Sequence, residues 1–245
     1  MAIEPHPQPG LSVVTTTDPV AGHLPALLTQ LSAQAEACGE QFEVIIVDDL
    51  KQWPSADAVS LPSLPGLLLR PLWYPEQRGQ LAAMLAGLAL ANADAVLTTD
   101  PDMFACMDEL PALRQRLQPG IQLVHGARTV RQDVSPLRRT GSLFANLAVQ
   151  LITGLRVPDL HSPLTLLRPA AARDLLASVG QIGNPRLYLY ASLGPALSVY
   201  PLRHSAPAGS PSQYRLFTLI ALFFRLIRDS MEVRRKLGAL PTDSR

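Results

Sequence analysis

A chain of 245 residues with 47% hydrophobic content can bury a sizeable core, in one large α/β domain or two small ones, and this excludes intrinsic disorder. Lys and Arg total 21 against 20 Asp and Glu, a formal net charge of +1, so no global field recruits nucleic acid and any anion site must be local. The 2 cysteines, Cys38 and Cys106, form no C-x-x-C pair, which argues against a zinc site or redox dithiol and fits a reducing cytosol.

The opening MAIEPHPQPG lacks the positive-then-apolar order of a secretory signal, so residues 1–10 read as a flexible arm. LSVVT (11–15) is the first predicted strand, HLPALLTQLSAQAEAC (23–38) the first helix, and FEVIIV (42–47) a second strand that runs straight into Asp48 and Asp49. WPSADAVSLPSLPG is a Pro-rich loop, followed by LLLR (67–70) as a third strand. The predicted helix RGQLAAMLAGLALANA (78–93) is rich in Ala and Gly, which permits close packing on a sheet at about 1 kcal/mol of helix propensity per Gly. DAVLTTD (94–100) is a buried strand ending at Asp100, with Asp102 two residues on and a helix predicted near 108–117. IQLVHGAR (121–128) is another strand ending in charge, at Arg128. Beyond it the pattern predicts a helix over 137–154, a strand at 163–168, a helix over 170–178, and an apolar stretch at 195–203 before the loop HSAPAGSPS. No apolar run reaches the ~18 residues of a spanning helix.

Strands alternating with helices predict an α/β fold with a mostly parallel sheet covered on both faces. Ligands in such folds collect outside the carboxyl ends of the strands, where Asp48, Asp49, Asp100, Asp102 and Arg128 would converge. A D-x-D at a strand end suits a divalent ion holding a diphosphate. The alternative is that Asp100 caps the following helix and Asp102 is a solvated first-turn acid. For the arginines the alternative is a solvated basic face, which weighs equally at Arg131 and Arg138.

With these motifs in order, the chain resembles the family 2 glycosyltransferases of GT-A fold, in particular a branch similar to dolichol-phosphate mannose synthase. The resemblance runs from about Leu11 to Arg228 through LSVV, FEVIIVDD, QRGQLAAMLAGLALANADAVLTTDPDM, LVHGAR, LRRTGS, DLHSPLTLLR and a Gly-Ser-Tyr loop before a C-terminal helix. It implies a Rossmann-like GT-A domain over 11–214 and a UDP- or GDP-linked sugar donor lined by Thr16, Asp18, Val47, Asp49, Arg78 and Gly79. It implies Mg²⁺ or Mn²⁺ on Asp100 and Asp102, and Arg128 and Arg139 beside Ser142 meeting the phosphate of a polyprenyl or related lipid acceptor. Inverting transfer follows, with no general base because the acceptor oxygen is already anionic.

Some positions depart from the family pattern. The first strand ends in TTTDPV, which puts Val20 where an acid is expected; Leu50 and Lys51 replace a Gly-Ser turn, Phe104 replaces a metal-binding Gln, and Pro207 stands near an expected Arg. These departures keep open a GT-A-like binding protein without catalysis. In 215–245, the less apolar Arg215, Thr218, Ala221, Arg225, Arg228 and Glu232 form a stripe along a helix, extended by Arg234, Arg235 and Lys236. Such a helix would lie on an anionic membrane surface at the inner face, or else pack on its own domain or a second subunit of the same chain. His23, His125, His161 and His204 show no metal-binding spacing, and Trp53 and Tyr74 read as covers of the core edge or as stacking platforms.

Overall fold

The strands β1 (Leu11–Thr16), β2 (Phe42–Asp48), β3 (Leu67–Trp73), β4 (Val96–Thr98), β5 (Leu123–Arg128), β6 (Thr165–Leu167) and β7 (Leu197–Leu202) make one sheet in the order β3-β2-β1-β4-β6-β5-β7. The computed structural model describes residues 9–18, 20, 22–55, 59–74, 76, 79–128, 147–160, 162–203 and 216–238. Pairing is parallel except around β6, which runs against both β4 and β5. The helices are α1 (His23–Cys38), α2 (Gln80–Leu88), α3 (Leu110–Arg116), α4 (147–153 among the described residues), α5 (Pro169–Ser178), α6 (Pro185–Leu193) and α7 (Leu216–Gly238).

Every residue of β1 and β2 is buried, because helices cover both faces of the sheet. The period of two along a strand sorts their side chains into two layers. Leu11, Val13, Val44 and Ile46 join α1 and α3, while Val14, Ile45 and Val47 join α2, α5, α6 and α7. The outer strands β3 and β7 carry Pro71 and Pro201, which a sheet tolerates at its edges because an edge strand leaves backbone N–H groups unpaired.

The α2 helix sits hard against the sheet at Gly87, where an added Cβ would strike Val14 Cγ1 and lie 3.1 Å from Val47 Cγ2. Gly87→Ala sets about 1 kcal/mol of helix propensity against about 1–3 kcal/mol of overpacking, so a net loss of stability is expected in urea denaturation. This helix ends at Leu88, five residues short of the predicted Ala93. The chain turns there so that the N–H groups of Asn92 and Ala93 reach Ser12 Oγ at 3.1 and 3.0 Å, bonds that a continued helix would forfeit. Two further expectations are corrected. The segment after Asp100 is first a 3-10 helix, Pro101–Glu109, and then α3. The α6 helix, which apolar patterning did not predict, is started by Asn184, whose Oδ1 accepts from Leu187 N at 3.0 Å ahead of Pro185.

The α7 helix packs on α6 and buries Leu226, Asp229, Ser230 and Val233, so part of it serves its own domain. Phe224, Arg225, Arg228, Met231, Arg234, Arg235 and Lys236 are exposed. Among the described residues no helix is long and apolar enough to cross a membrane.

Candidate active site

The carboxyl ends of β1, β2, β4 and β5 open on one edge of the sheet, and the reversed β6 brings its first residue, Thr165, level with Thr98 and His125 at that edge. The acid-tipped strands β2 and β4 flank β1, so roughly 10 Å separates their axes.

On the β1 and β2 side most candidate groups are occupied by the loops themselves. Asp48 is buried and folds the turn after it: Oδ1 accepts from Thr17 Oγ1 and Gln52 N at 2.9 Å each, and Oδ2 from Trp53 N at 2.8 Å. That turn carries Lys51 at φ 55, a left-handed conformation that glycine adopts more readily. The Val47 side chain lies in the core and its carbonyl accepts from Thr17 N and Asp49 N, so this residue forms the floor beneath the edge. The Asp18 carboxylate accepts from Val20 N at 2.6 Å and lies 3.2 Å from His23 Nδ1, which ties it to the entry of α1. Thr16 and Asp49 are buried at the strand ends, and Gly79, at φ 84, precedes α2. Trp53 is half-buried at the core edge, its carbonyl accepting from Trp73 Nε1 at 3.0 Å, and Tyr74 packs against the opposite layer.

On the β4 and β5 side the charges gather. Asp100 stands at the N-cap position of the 3-10 segment but its side chain makes no capping bond; both its oxygens accept from Gln80 Nε2 at 2.7 Å, so the capping alternative does not account for its carboxylate. Burial, and then the charge of Asp102, push the Asp100 carboxyl up to about 6, against the Gln80 bond and the positive charges of Arg186 and Arg128. Asp100, Asp102, Gln80, Arg128 and Arg186 therefore share one electrostatic environment. Phe104 turns away from it and packs on His23, with ring centroids 5.8 Å apart.

Arg128 offers Asp159 a two-pronged bond, Nε to Oδ2 at 2.6 Å and Nη2 to Oδ1 at 3.1 Å. Asp159, at φ 47, is held from below by His125, whose Nε2 lies 3.1 and 3.2 Å from the carbonyls of Asp159 and Pro158. Facing two carbonyl oxygens, Nε2 carries the proton, so Nδ1 accepts from Tyr190 Oη at 3.0 Å. Burial, and then the Arg186 charge, lower the His125 pKa to about 4, which keeps the imidazole neutral and the chain of bonds intact near neutral pH. Arg186 completes the network with Nε on Tyr190 Oη at 3.2 Å and Nη2 on Thr165 Oγ1 at 2.8 Å.

Gln80, Asp159, Arg186 and Tyr190 join the site without a sequence motif that marks them as site residues. Asp159 opens the DLHS stretch and Arg186 follows an Asn-Pro helix start, and those were the available signals. Arg78, Arg131, Arg138, Arg139, Ser142, His161, His204, Pro207, Gly209, Ser212 and Tyr214 lie outside the described residues.

A family model described as Glycosyl transferase family 2 matches residues 12–176 of the chain. The chain belongs to glycosyl transferase family 2. Among the similar proteins is an undecaprenyl-phosphate 4-deoxy-4-formamido-L-arabinose transferase of Pseudomonas aeruginosa, 32% identical over 176 residues, which is 71% of this chain and 52% of that protein. The protein of the same description from Aeromonas hydrophila is 30% identical over 223 residues, 89% of this chain and 66% of the relative. The chain thus spans between half and two-thirds of these relatives' length. Its fold resembles that of Mycobacterium tuberculosis glucosyl-3-phosphoglycerate synthase in complex with Mn²⁺, UDP-glucose and phosphoglyceric acid, with TM-score 0.61, 16% identity, and coverage of 96% of this chain and 82% of that one. It also resembles a Pyrobaculum calidifontis mannosyltransferase in complex with GDP-mannose and Mn²⁺, with TM-score 0.52, 16% identity, and coverage of 97% and 77%. The GT-A expectation for this family 2 chain is thereby met. Its family match spans Asp49, Asp100, Asp102 and Arg128 but stops before Arg186 and Tyr190, so the α6 groups lie beyond the stretch by which the family is recognised.

Proposed function

We propose that this family 2 chain moves a sugar from a UDP- or GDP-linked donor to a polyprenyl phosphate, with inversion at the anomeric carbon. The observation that carries the reading is the pairing of Asp100 with Asp102 at the end of β4, within the field of two guanidinium groups. Supporting it, the Pseudomonas and Aeromonas relatives are described by an undecaprenyl-phosphate acceptor, and fold neighbours were captured with UDP-glucose or GDP-mannose and Mn²⁺.

Among the described residues no three His, Cys, Asp or Glu side chains gather into a ready-made metal cage. Two hard carboxylates completed by substrate phosphates are nonetheless a set that Mg²⁺ or Mn²⁺ accepts; burial and then the charge of Asp102 raise the Asp100 pKa, and a cation would relieve that repulsion. Asp100 and Asp102 would hold the ion, which when bound supplies charge neutralisation for the departing diphosphate.

The chain's own groups account for the rest. Gln80 fixes the Asp100 carboxylate in place, and Asp159 fixes Arg128 toward the edge. Asp49 offers its carboxylate to the nucleotide. In the reaction an acceptor phosphate oxygen forms a bond to the anomeric carbon as the bond from that carbon to the diphosphate oxygen breaks, and the nucleoside diphosphate leaves. No proton need be abstracted, so alignment and charge stabilisation supply the rate.

Isothermal titration with UDP and GDP, with and without Mn²⁺, tests the reading, followed by mass spectrometry of products formed from a short-chain polyprenyl phosphate. Absence of binding by either nucleotide would favour a binding protein without catalysis, the reading motivated by Phe104 and the glycine-free turn at Leu50 and Lys51. Asp100 also makes binding pH-dependent. Metal-dependent affinity should hold above pH 7 and fall, by up to about tenfold per unit, as protonation sets in below about 6. Gln80→Leu removes a bond that favours the charged form, so the midpoint should move upward. The folded carboxyl holds its proton more tightly than an ordinary aspartate, whose pKa is 3.8, so its contribution to stability is full below that value and is lost as pH rises through about 6.

The exposed basic groups of α7, with Phe224 and Met231 beside them, suit an anionic lipid surface and a peripheral place at the membrane. Flotation with anionic liposomes, set against neutral liposomes, checks this, and failure of the full chain to float would remove the idea.

A further inference from the structure

A cavity of about 170 Å³ opens beside Asp100, between α2, α5 and α6, over β4 and β6. Its polar lining is Gln80, Asp100, Thr165, Arg186 and Tyr190, and its apolar lining includes Met84, Leu85, Leu88, Leu175 and Leu189. At about 30 Å³ per water-sized group, it has room for roughly five or six such groups.

Arg186 is anchored but not neutralised. Its Nε meets Tyr190 Oη, and its Nη2 meets the Ser162 carbonyl at 2.7 Å and Thr165 Oγ1 at 2.8 Å. All three partners are neutral oxygens, and the guanidinium also lies over the Tyr190 ring, 5.7 Å from its centroid. Among the described residues Nη1 makes no hydrogen bond and Arg186 pairs with no carboxylate within 4.0 Å. A part-buried cation held rigidly by neutral groups, with two N–H donors to give, is a site built for an anion.

Resting on the proposed transfer to a polyprenyl phosphate, we infer that Arg186 receives the acceptor's phosphate and that the leucine-lined part of the same cavity receives the first carbons of the lipid chain. Arg128 is less suited to this, since its Nε and Nη2 are already committed to Asp159. Recognition then requires both parts of an amphiphile, an anionic head on the cation and an apolar segment against the leucines.

The test is titration of the full chain with geranyl phosphate, inorganic phosphate and geraniol, the last two each lacking one part. Geranyl phosphate should bind at least tenfold tighter than either. Equal binding of geranyl phosphate and inorganic phosphate would overturn the inference, pointing to a plain phosphate subsite such as the donor's diphosphate would occupy; equal binding of geraniol would overturn the role of the cation. Arg186→Gln, titrated without metal or nucleotide and shown to be folded by circular dichroism, should weaken geranyl phosphate at least tenfold, whereas an unchanged geranyl phosphate affinity would sink the assignment. Met84→Trp, which fills the cavity without touching the cation, should weaken geranyl phosphate tenfold and leave inorganic phosphate as it was; equal geranyl phosphate binding in this variant would reject the cavity. Nucleotide binding that survives when these tests fail removes only the acceptor assignment, while loss of nucleotide binding in the wild type removes the transferase reading itself.

Discussion

Asp102→Asn is expected to lower turnover about 10²–10³-fold and to abolish the Mn²⁺ dependence of nucleotide binding. Asn keeps the shape of the side chain and deletes its charge, so the change falls on electrostatics rather than packing. Asp102 sits in the first turn of the 3-10 segment, one residue beyond Pro101, and its charge is the second largest influence raising the Asp100 carboxyl. Without it, the Asp100 pKa should fall from about 6 toward the ordinary aspartate value of 3.8, a shift that ¹³C NMR of the carboxyl reads directly. Metal-dependent binding would vanish even as the remaining acid became more fully ionised near pH 6. Wild-type Mn²⁺ dependence retained in the Asn variant would show that the two acids are not a metal cradle.

Glu43→Ala should cost about 3–5 kcal/mol, a large share of the roughly 5–15 kcal/mol that holds a domain together. Glu43 is 2% exposed in the middle of the sheet, yet charged. Its Oε2 accepts from Ser12 Oγ at 2.6 Å and from Asn92 N at 3.2 Å; its Oε1 pairs with Arg70 Nη1 and accepts from Asn92 Nδ2 at 3.3 Å. One carboxylate thus ties β1, β2, β3 and the turn after α2. Burial alone would raise its pKa, but the bonds from Ser12, Arg70 and Asn92 outweigh it and hold the group below the ordinary glutamate value of 4.5. The stabilisation is accordingly whole above that value and fades as pH falls through the lowered one. Urea denaturation at pH 7 measures the Ala cost, and Glu43→Gln, which keeps part of the network, should cost less. A loss under about 1 kcal/mol would mean that the network breaks even against its own desolvation.

Much of the architecture was legible because it rests on periodicity. LSVV and FEVIIV are continuous apolar runs and became strands buried on both faces; the helix over 23–38 was read to its ends, helped by Gly39 at φ 67. The acids at the ends of β2 and β4 were legible for the same reason, since hydrophobic runs that stop at charge mark the strand edges. Less legible were the 3-10 form of Pro101–Glu109 and the early end of α2, the latter set by the bonds of Asn92 and Ala93 to the distant Ser12. Which acid did what was hidden as well: Asp48 closes its own turn, and Asp100 is gripped by Gln80 from another element.

By itself the sequence determined the order of the elements, the family 2 membership and the chemical types gathered at one edge, because each of these depends on neighbours a few residues apart. Only the tertiary structure decided that Arg128 is clamped by Asp159, that His125 is a neutral strut beneath it, and that Arg186 faces the cavity beside Asp100. The physical reason is distance along the chain. These partners lie tens of residues apart, and the reversed β6 brings Thr165 and the start of α6 level with the ends of β4 and β5, a crossing that no local pattern of residues encodes.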